Sequence, residues 1–230
     1  MPIENTISFD TARKPQAVRV ELVPRSRNQE HLVLDLLNDQ IPIVIVSGPA
    51  GTGKTYLAML AAVRALKAGL AQRIVLTRPA VGVEDERHGF LPGNLNDKME
   101  PWTRPLIDVL RLYYRPQDVG SMIENNIIEI APLAFMRGRT FQDSWIVADE
   151  MQNATPSQVK MLMTRIGKNA KIVITGDVEQ TDRKRNDNGL LDIVQRLEQS
   201  PVKGISVVAL NSQDTQRHRI IPEILALYQQ

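Results

Sequence analysis

Ile43-Val44-Ile45-Val46-Ser47-Gly48-Pro49-Ala50-Gly51-Thr52-Gly53-Lys54-Thr55 is the stretch from which the rest of the chain is read. Its first four residues are β-branched and apolar without alternation, which suits a strand buried on both faces of a parallel sheet. They run straight into Gly48-x-x-x-x-Gly53-Lys54-Thr55, the spacing of a phosphate-binding loop. Tyr56-Leu57-Ala58-Met59-Leu60-Ala61-Ala62-Val63 follows, rich in helix formers and free of Gly and Pro until Gly69. Strand, loop and helix in that order are the setting in which the pattern has chemical meaning.

The spacing has a physical basis. Gly48, Gly51 and Gly53 permit backbone torsions closed to other residues, so successive N–H groups can turn inward on an anion. The helix opening at Lys54 adds its positive N-terminal end. Lys54 is expected to reach the β- and γ-phosphates, and the Thr55 hydroxyl to ligate Mg²⁺. A plain glycine turn is the rival reading. Every fixed position of the pattern is present in the required setting, which favours the nucleotide.

With 230 residues, 43% of them hydrophobic, the chain can bury the core of one large domain, or of a domain plus an arm. No apolar run approaches the length of a membrane span. Met1-Pro2-Ile3-Glu4-Asn5-Thr6 shows no charged stretch leading into an apolar one, so a cytoplasmic chain without a secretory signal is expected. The absence of cysteine excludes disulfides and thiolate metal sites. A net charge of +2 is too balanced to argue for nucleic acid by itself. His31, His88 and His218 are scattered and form no ligand pattern.

Residues 1–26 read as an arm that packs on the domain or on a neighbouring subunit, with Val18 to Leu22 alternating like a short edge strand. The domain proper is read as 27–230. A helix is expected over 28–38, where Leu32 and Leu36, and Val33 and Leu37, stand four apart. Further strands are expected at 74–76, 127–130, 145–148, 172–175 and 205–210. Helices are expected at 54–68, 97–115, 155–166, 188–199 and from 220 to about 228. This alternation predicts an α/β domain, a mostly parallel sheet with helices on both faces. Residues 78–126 are the exception to this rhythm; 78–93 has glycines and prolines and no periodicity, and a long irregular segment in a compact domain is usually functional or mobile.

Trp145-Ile146-Val147-Ala148 ends in Asp149-Glu150. In phosphate-loop enzymes the acid closing this second strand holds Mg²⁺, the role assigned to Asp149. Glu150 is placed to orient the attacking water or take its proton, which separates a hydrolase from a kinase. A solvated acidic turn is the bland alternative. Ile172-Val173-Ile174-Thr175 likewise delivers Gly176-Asp177-Val178-Glu179-Gln180 to the carboxyl end of a strand, where open α/β sheets bind ligands. Thr175, Asp177 and Gln180 are candidates for sensing the γ-phosphate.

Taken together these residues resemble the PhoH family, phosphate-starvation-inducible ATPases related to superfamily 1 helicases. The likeness is carried by Gly48 to Ala58, Thr77-Arg78-Pro79-Ala80-Val81, Met136-Arg137-Gly138-Arg139-Thr140, Asp149-Glu150-Met151-Gln152-Asn153, Thr175-Gly176-Asp177-x-x-Gln180 and Arg217-His218, in order. Met151 and the triplet Arg183-Lys184-Arg185 depart from the family pattern. The resemblance implies a single RecA-like phosphate-loop domain that binds ATP and Mg²⁺. The nucleotide would lie against Gln29, the adenine reader, and against Gly48, Pro49, Ala50, Gly51, Thr52, Gly53, Lys54, Thr55 and Tyr56. Arg78 would contact a nucleic-acid backbone or a subunit, with a solvated arginine before a proline as the rival reading; Arg137 and Arg139 would clamp phosphate from a loop, with a plain basic turn as the rival.

Helicases of this kind complete the site with an arginine from a second domain. This chain has strands and motifs for one such domain only, so a neighbouring copy is the expected source. The resemblance implies a homo-oligomer, a hexameric ring, with Arg217 as first candidate for the arginine and Arg183 and Arg185 in reserve. It also implies action on nucleic acid, RNA rather than DNA; the lack of a long apolar run leads to the expectation of no membrane partner. Two rivals share parts of the site: an ATP-set oligomeric switch or scaffold read by a protein partner, and a small-molecule kinase. Glu150, and the lack of an arginine-rich lid, count against the kinase.

Overall fold

Every residue of β1 (Ile43–Ser47) is buried, as an apolar run without alternation requires. The other strands are β2 (Arg73–Thr77), β3 (Ile128–Ile130), β4 (Ser144–Ala148), β5 (Lys171–Gly176) and β6 (Ile205–Ala209). The computed structural model, which describes residues 19–79, 104–180, 187–216 and 220, orders them β3-β2-β4-β5-β1-β6. Every pairing is parallel. All six expected strands are present within a residue or two of their expected ends, in an α/β domain.

Parallel neighbours must be joined by crossovers, and these put helices on both faces. On one face Val44, Val46, Leu76, Val147, Val173 and Val208 share a core with α1 (Arg27–Leu37), α2 (Lys54–Lys67), the helical residues 104–111 (α3) and α4 (Pro116–Glu124). On the other, Ile43, Ile45, Val75, Ile146, Ile172 and Ile174 pack with α5 (Pro156–Met163) and α6 (Gly189–Gln199). Successive strand residues thus feed opposite cores, the period-two rule applied to strands buried on both sides.

Local chemistry sets the helix ends. Ser26 caps α1 by accepting from the Gln29 N–H at 3.2 Å, and Thr155 with Gln158 forms a reciprocal capping box at α5. The far end of α1 is held by β5: the buried Lys171 ammonium donates to the carbonyls of Asp35, Leu36 and Asn38 at 2.9, 2.6 and 3.0 Å. Burial pushes that ammonium down to about 8.

Two expectations need correcting. Residues 19–24 form no strand; Val18 lies outside the described residues. Val20 is buried and Leu22 packs beside it against the first core, so the alternation marks an extended segment packed on one side with no ladder partner among the described residues. Secondly, α4 occupies a stretch read as lacking an element. Pro116 stands at its first turn, where a missing N–H costs nothing, and Gly120 inside it weakens the helical signal. Of the helix expected over 97–115, residues 104–111 are helical and 97–103 lie outside the described residues; so do the residues after Ile220. Among the described residues no helix is long and apolar enough to cross a membrane.

Candidate nucleotide site

Register brings three strand ends level. Ser47 pairs with Gly176, and Ala148 pairs with Ile174. Gly48, Asp149 and Asp177, each just past a strand, therefore stand along one carboxyl edge, where parallel sheets bind ligands.

The loop after β1 is shaped by close approaches. A Cβ at Gly48 would lie 2.6 Å from the Leu210 carbonyl oxygen, so a side chain there would force β1 away from the chain leaving β6. Gly51 and Gly53 have φ of +86° and +80°, the left-handed region that favours glycine. Pro49 O accepts from the Lys54 ammonium at 3.1 Å and from the Thr52 hydroxyl at 2.8 Å, which folds both side chains over the loop.

Asp149 is buried, and its Oδ1 accepts from the Thr55 hydroxyl at 2.8 Å. The Thr175 hydroxyl donates to the same oxygen. Ends of β4 and β5 and the first turn of α2 thus meet at one carboxylate atom. Both Thr55 Oγ1 and Asp149 Oδ1 are hard oxygen donors of the kind Mg²⁺ takes, so this pair fits the ion.

Glu150 adopts a left-handed backbone, φ +55° and ψ +37°, uncommon for a residue with a side chain. Its carboxylate is gripped from two sides. Arg78 Nη2 lies 3.0 Å from Oε1, and Gln152 Nε2 donates to Oε2. The buried Gln152 then accepts the Asp177 N–H on Oε1 at 3.1 Å, spanning the ends of β4 and β5. A Cβ at Gly176 would sit 2.5 Å from that same oxygen. Composition and spacing assign Gln152 no role; the available signal was its place in Asp149-Glu150-Met151-Gln152-Asn153.

Beside the loop a pocket of about 510 Å³ is lined by Glu21, Val23, Arg25, Gln29, Tyr56 and Gln216 among others. Buried Gln29 donates to Thr52 O at 2.9 Å and accepts the Arg25 N–H at 2.7 Å. An amide has two donors and two lone pairs, so each end retains one further position. The Gln216 N–H donates to Gly51 O at 2.9 Å. Asp214 secures this corner by accepting from Asn28 at 2.9 Å and from the Asn211 N–H at 2.7 Å. Burial pushes the Asp214 carboxyl up, but hydrogen bonds from Asn28, Ser26 and Asn211 outweigh it and hold the group below the usual carboxylate value. That residues 21–25 wall the pocket was not foreseen from sequence.

The structure therefore gathers Gln29, the loop residues Gly48 to Thr55, Tyr56, Asp149 and Glu150 at one edge. Gln180 is exposed, past the end of β5, and is not part of that hydrogen-bonded set. Arg217, Arg183 and Arg185 lie outside the described residues. Arg139 is paired with Glu129 through two hydrogen bonds, whereas Arg137 is exposed.

A family model described as PhoH-like protein matches residues 21–229. A PhoH-like protein of Bacillus subtilis is 42% identical over 215 residues, 94% of this chain and 65% of that protein. One from Mycobacterium tuberculosis is 47% identical over 206 residues, 89% and 57% of the two chains. Protein PhoH of Escherichia coli is 36% identical over 210 residues, 90% and 58%. The chain thus spans between 57% and 65% of the length of these relatives. The Hef helicase domain of Pyrococcus furiosus overlays with a TM-score of 0.44 at 13% identity, covering 81% of this chain and 39% of that one; a likeness at this level carries no weight. Because the family match runs through nearly the whole described chain, including both sides of the Thr55–Asp149 contact, the protein belongs to the PhoH-like family.

Proposed function

We propose that this chain hydrolyses ATP with Mg²⁺ at the carboxyl edge of its sheet and couples turnover to single-stranded nucleic acid, RNA in preference to DNA, in a homo-oligomeric ring. The observation that carries the reading is the hydrogen bond from Thr55 to Asp149, which joins the phosphate loop to an acid 94 positions away. Adenine occupies the pocket beside Tyr56, its edge meeting the remaining positions of the Gln29 amide. The end of the N-terminal arm forms one wall. Loop N–H groups and Lys54 receive the β- and γ-phosphates.

Thr55 and Asp149 would hold Mg²⁺, which when bound would offset negative charge on the triphosphate. Glu150 accepts a proton from the water whose oxygen attacks the γ-phosphorus. The bond to the β-γ bridging oxygen breaks, leaving ADP and phosphate. Gln152 and Arg78 fix the direction of the Glu150 carboxylate, and Gln180 orients the water or the γ-phosphate. Lys54 and an arginine from the neighbouring copy, Arg217 first, offset the transition-state charge.

Phosphate release from Mg²⁺–ATP, with and without RNA, tests this. Lys54→Ala should lower turnover at least ~100-fold. Glu150→Gln should lower kcat by roughly 10²–10⁴ while nucleotide still binds. A Glu150→Gln protein working at the wild-type rate removes the base; a wild-type protein that never turns ATP over removes the enzyme. The pairing of Glu150 with Arg78 favours a second reading, an ATP-set switch that binds without efficient hydrolysis. In that case turnover stays low and indifferent to every polymer.

A further inference from the structure

We infer that the groove between the turn Leu133–Met136 and α5 is the track for the sugar–phosphate backbone of a single-stranded nucleic acid. The inference rests on the nucleic-acid half of the proposed function and gives that partner a surface. The groove has a volume of about 830 Å³ and is lined by Arg137, Lys160 and Arg165 together with Gly138, Ser157 and other polar residues. No carboxylate lines it among the described residues.

That imbalance is local. The chain as a whole is nearly neutral at +2, and other arginines nearby are matched. Arg139 binds Glu129 with two hydrogen bonds, and Arg196 binds Asp192 at 2.7 Å. Arg165 instead donates to the carbonyls of Met161 and Arg139 and to the Thr164 hydroxyl, neutral acceptors that position the guanidinium and leave its charge whole. Three cations facing one groove without counter-charge repel one another unless an anion joins them, and a polyanionic strand supplies phosphates in series.

An aromatic ring accompanies the cations. In the turn Leu133–Met136, Leu133 and Met136 are buried, which turns Ala134 and Phe135 outward. Ala134 lines the groove, and Phe135 is 62% exposed. Cations for phosphate with an exposed ring for base stacking is how sequence-tolerant single-strand sites are composed. Backbone room is available too, since a Cβ at Gly138 would meet nothing within 4 Å.

The groove also adjoins the chemistry. Gln158 lines it and accepts the Thr155 N–H at 2.8 Å. Thr155 follows the short turn Met151–Asn153, where Gln152 grips Glu150. A strand seated on α5 therefore pulls on the segment that aims the proposed base.

The test is anisotropy of a labelled single-stranded RNA of about 15 nucleotides, titrated over a range of salt, with RNA-stimulated and basal ATP turnover measured alongside. Arg137→Gln and Lys160→Gln should each reduce the slope of log affinity against log salt by ~0.7, and the double variant by ~1.4. Phe135→Ala should weaken binding about tenfold with the slope unchanged. RNA stimulation should fall in step while basal turnover holds, and thermal melts should match the wild type because all three side chains are exposed.

Variants that bind RNA with wild-type affinity and slope overturn the groove yet leave RNA coupling intact. A wild-type protein that neither binds nor responds to RNA or DNA overturns the coupling, and the groove with it. Poly-glutamate binding that disappears with the double variant, where RNA binding does not, would assign the groove to an acidic protein partner and also overturn the proposal.

Discussion

Gln152 holds Glu150 with one end of its amide and the Asp177 N–H with the other, so one side chain decides both where the carboxylate points and how β4 and β5 end. Replacing it with the similarly sized Met leaves the Asp177 N–H buried without an acceptor, a loss of about 1–3 kcal/mol. It also frees one Glu150 oxygen. We expect Gln152→Met to lower kcat about tenfold with little change in KM for ATP, since the loop and the base pocket are untouched. Gln152→Glu keeps an acceptor for the Asp177 N–H but turns a second carboxylate on Glu150 where the amide donated, so kcat should stay low even where urea unfolding regains some of the stability. Recovery of both together would show that Gln152 matters only for folding. The placement of Lys54 and Thr55 at the loop could be read from spacing because the glycine pattern constrains the backbone locally. That of Gln152 could not, because its meaning comes from a strand more than twenty residues further on.

At the scale of elements, α1 and the segment Ser212–Asp214 are clasped by one buried carboxylate, Asp214, which accepts from Asn28 and Asn211. Its pKa is held below that of the unfolded chain. A depressed carboxylate stabilises the fold above its unfolded pKa, and that contribution is lost as pH falls through the folded value. Asp214→Ala should therefore cost about 1–3 kcal/mol near neutral pH. The gap to wild type in thermal or urea unfolding should close as the solution is taken to strongly acidic pH. A gap independent of pH would mean that packing, not the charge, is what Asp214 contributes. Periodicity was a good guide to the elements themselves: α1, α2, α5 and α6 lie within a few residues of expectation. It misread residues 19–24, where alternation reports one buried side and is silent about whether a ladder partner exists. It missed α4, where Pro116 and Gly120 are tolerated by position and by packing of Val119.

For the whole molecule, the sheet order β3-β2-β4-β5-β1-β6 places the acid-bearing end of β4 one strand away from β1, so the phosphate loop and Asp149 face each other across the end of β5. Gln216, hydrogen-bonded to Gly51 of its own chain, marks where the chain leaves toward Arg217. If Arg217 completes a neighbour's site, mixing Lys54→Ala with Arg217→Ala protein should restore turnover. In a randomly mixed ring about a quarter of the sites would then have an intact lysine and an intact neighbouring arginine. No recovery, with assembly confirmed by mass, would mean that the arginine serves its own chain. The sequence alone determined the phosphate loop, the buried strands and the acids at their ends, because each depends on torsions and burial periods set by adjacent residues. Only the tertiary structure decided that Thr55, Asp149 and Thr175 converge, that Gln152 bridges two strand ends, and that residues 21–25 wall the pocket beside Gln29. Those contacts join segments distant in the chain, and strand order and register, which no local pattern encodes, select which distant groups meet.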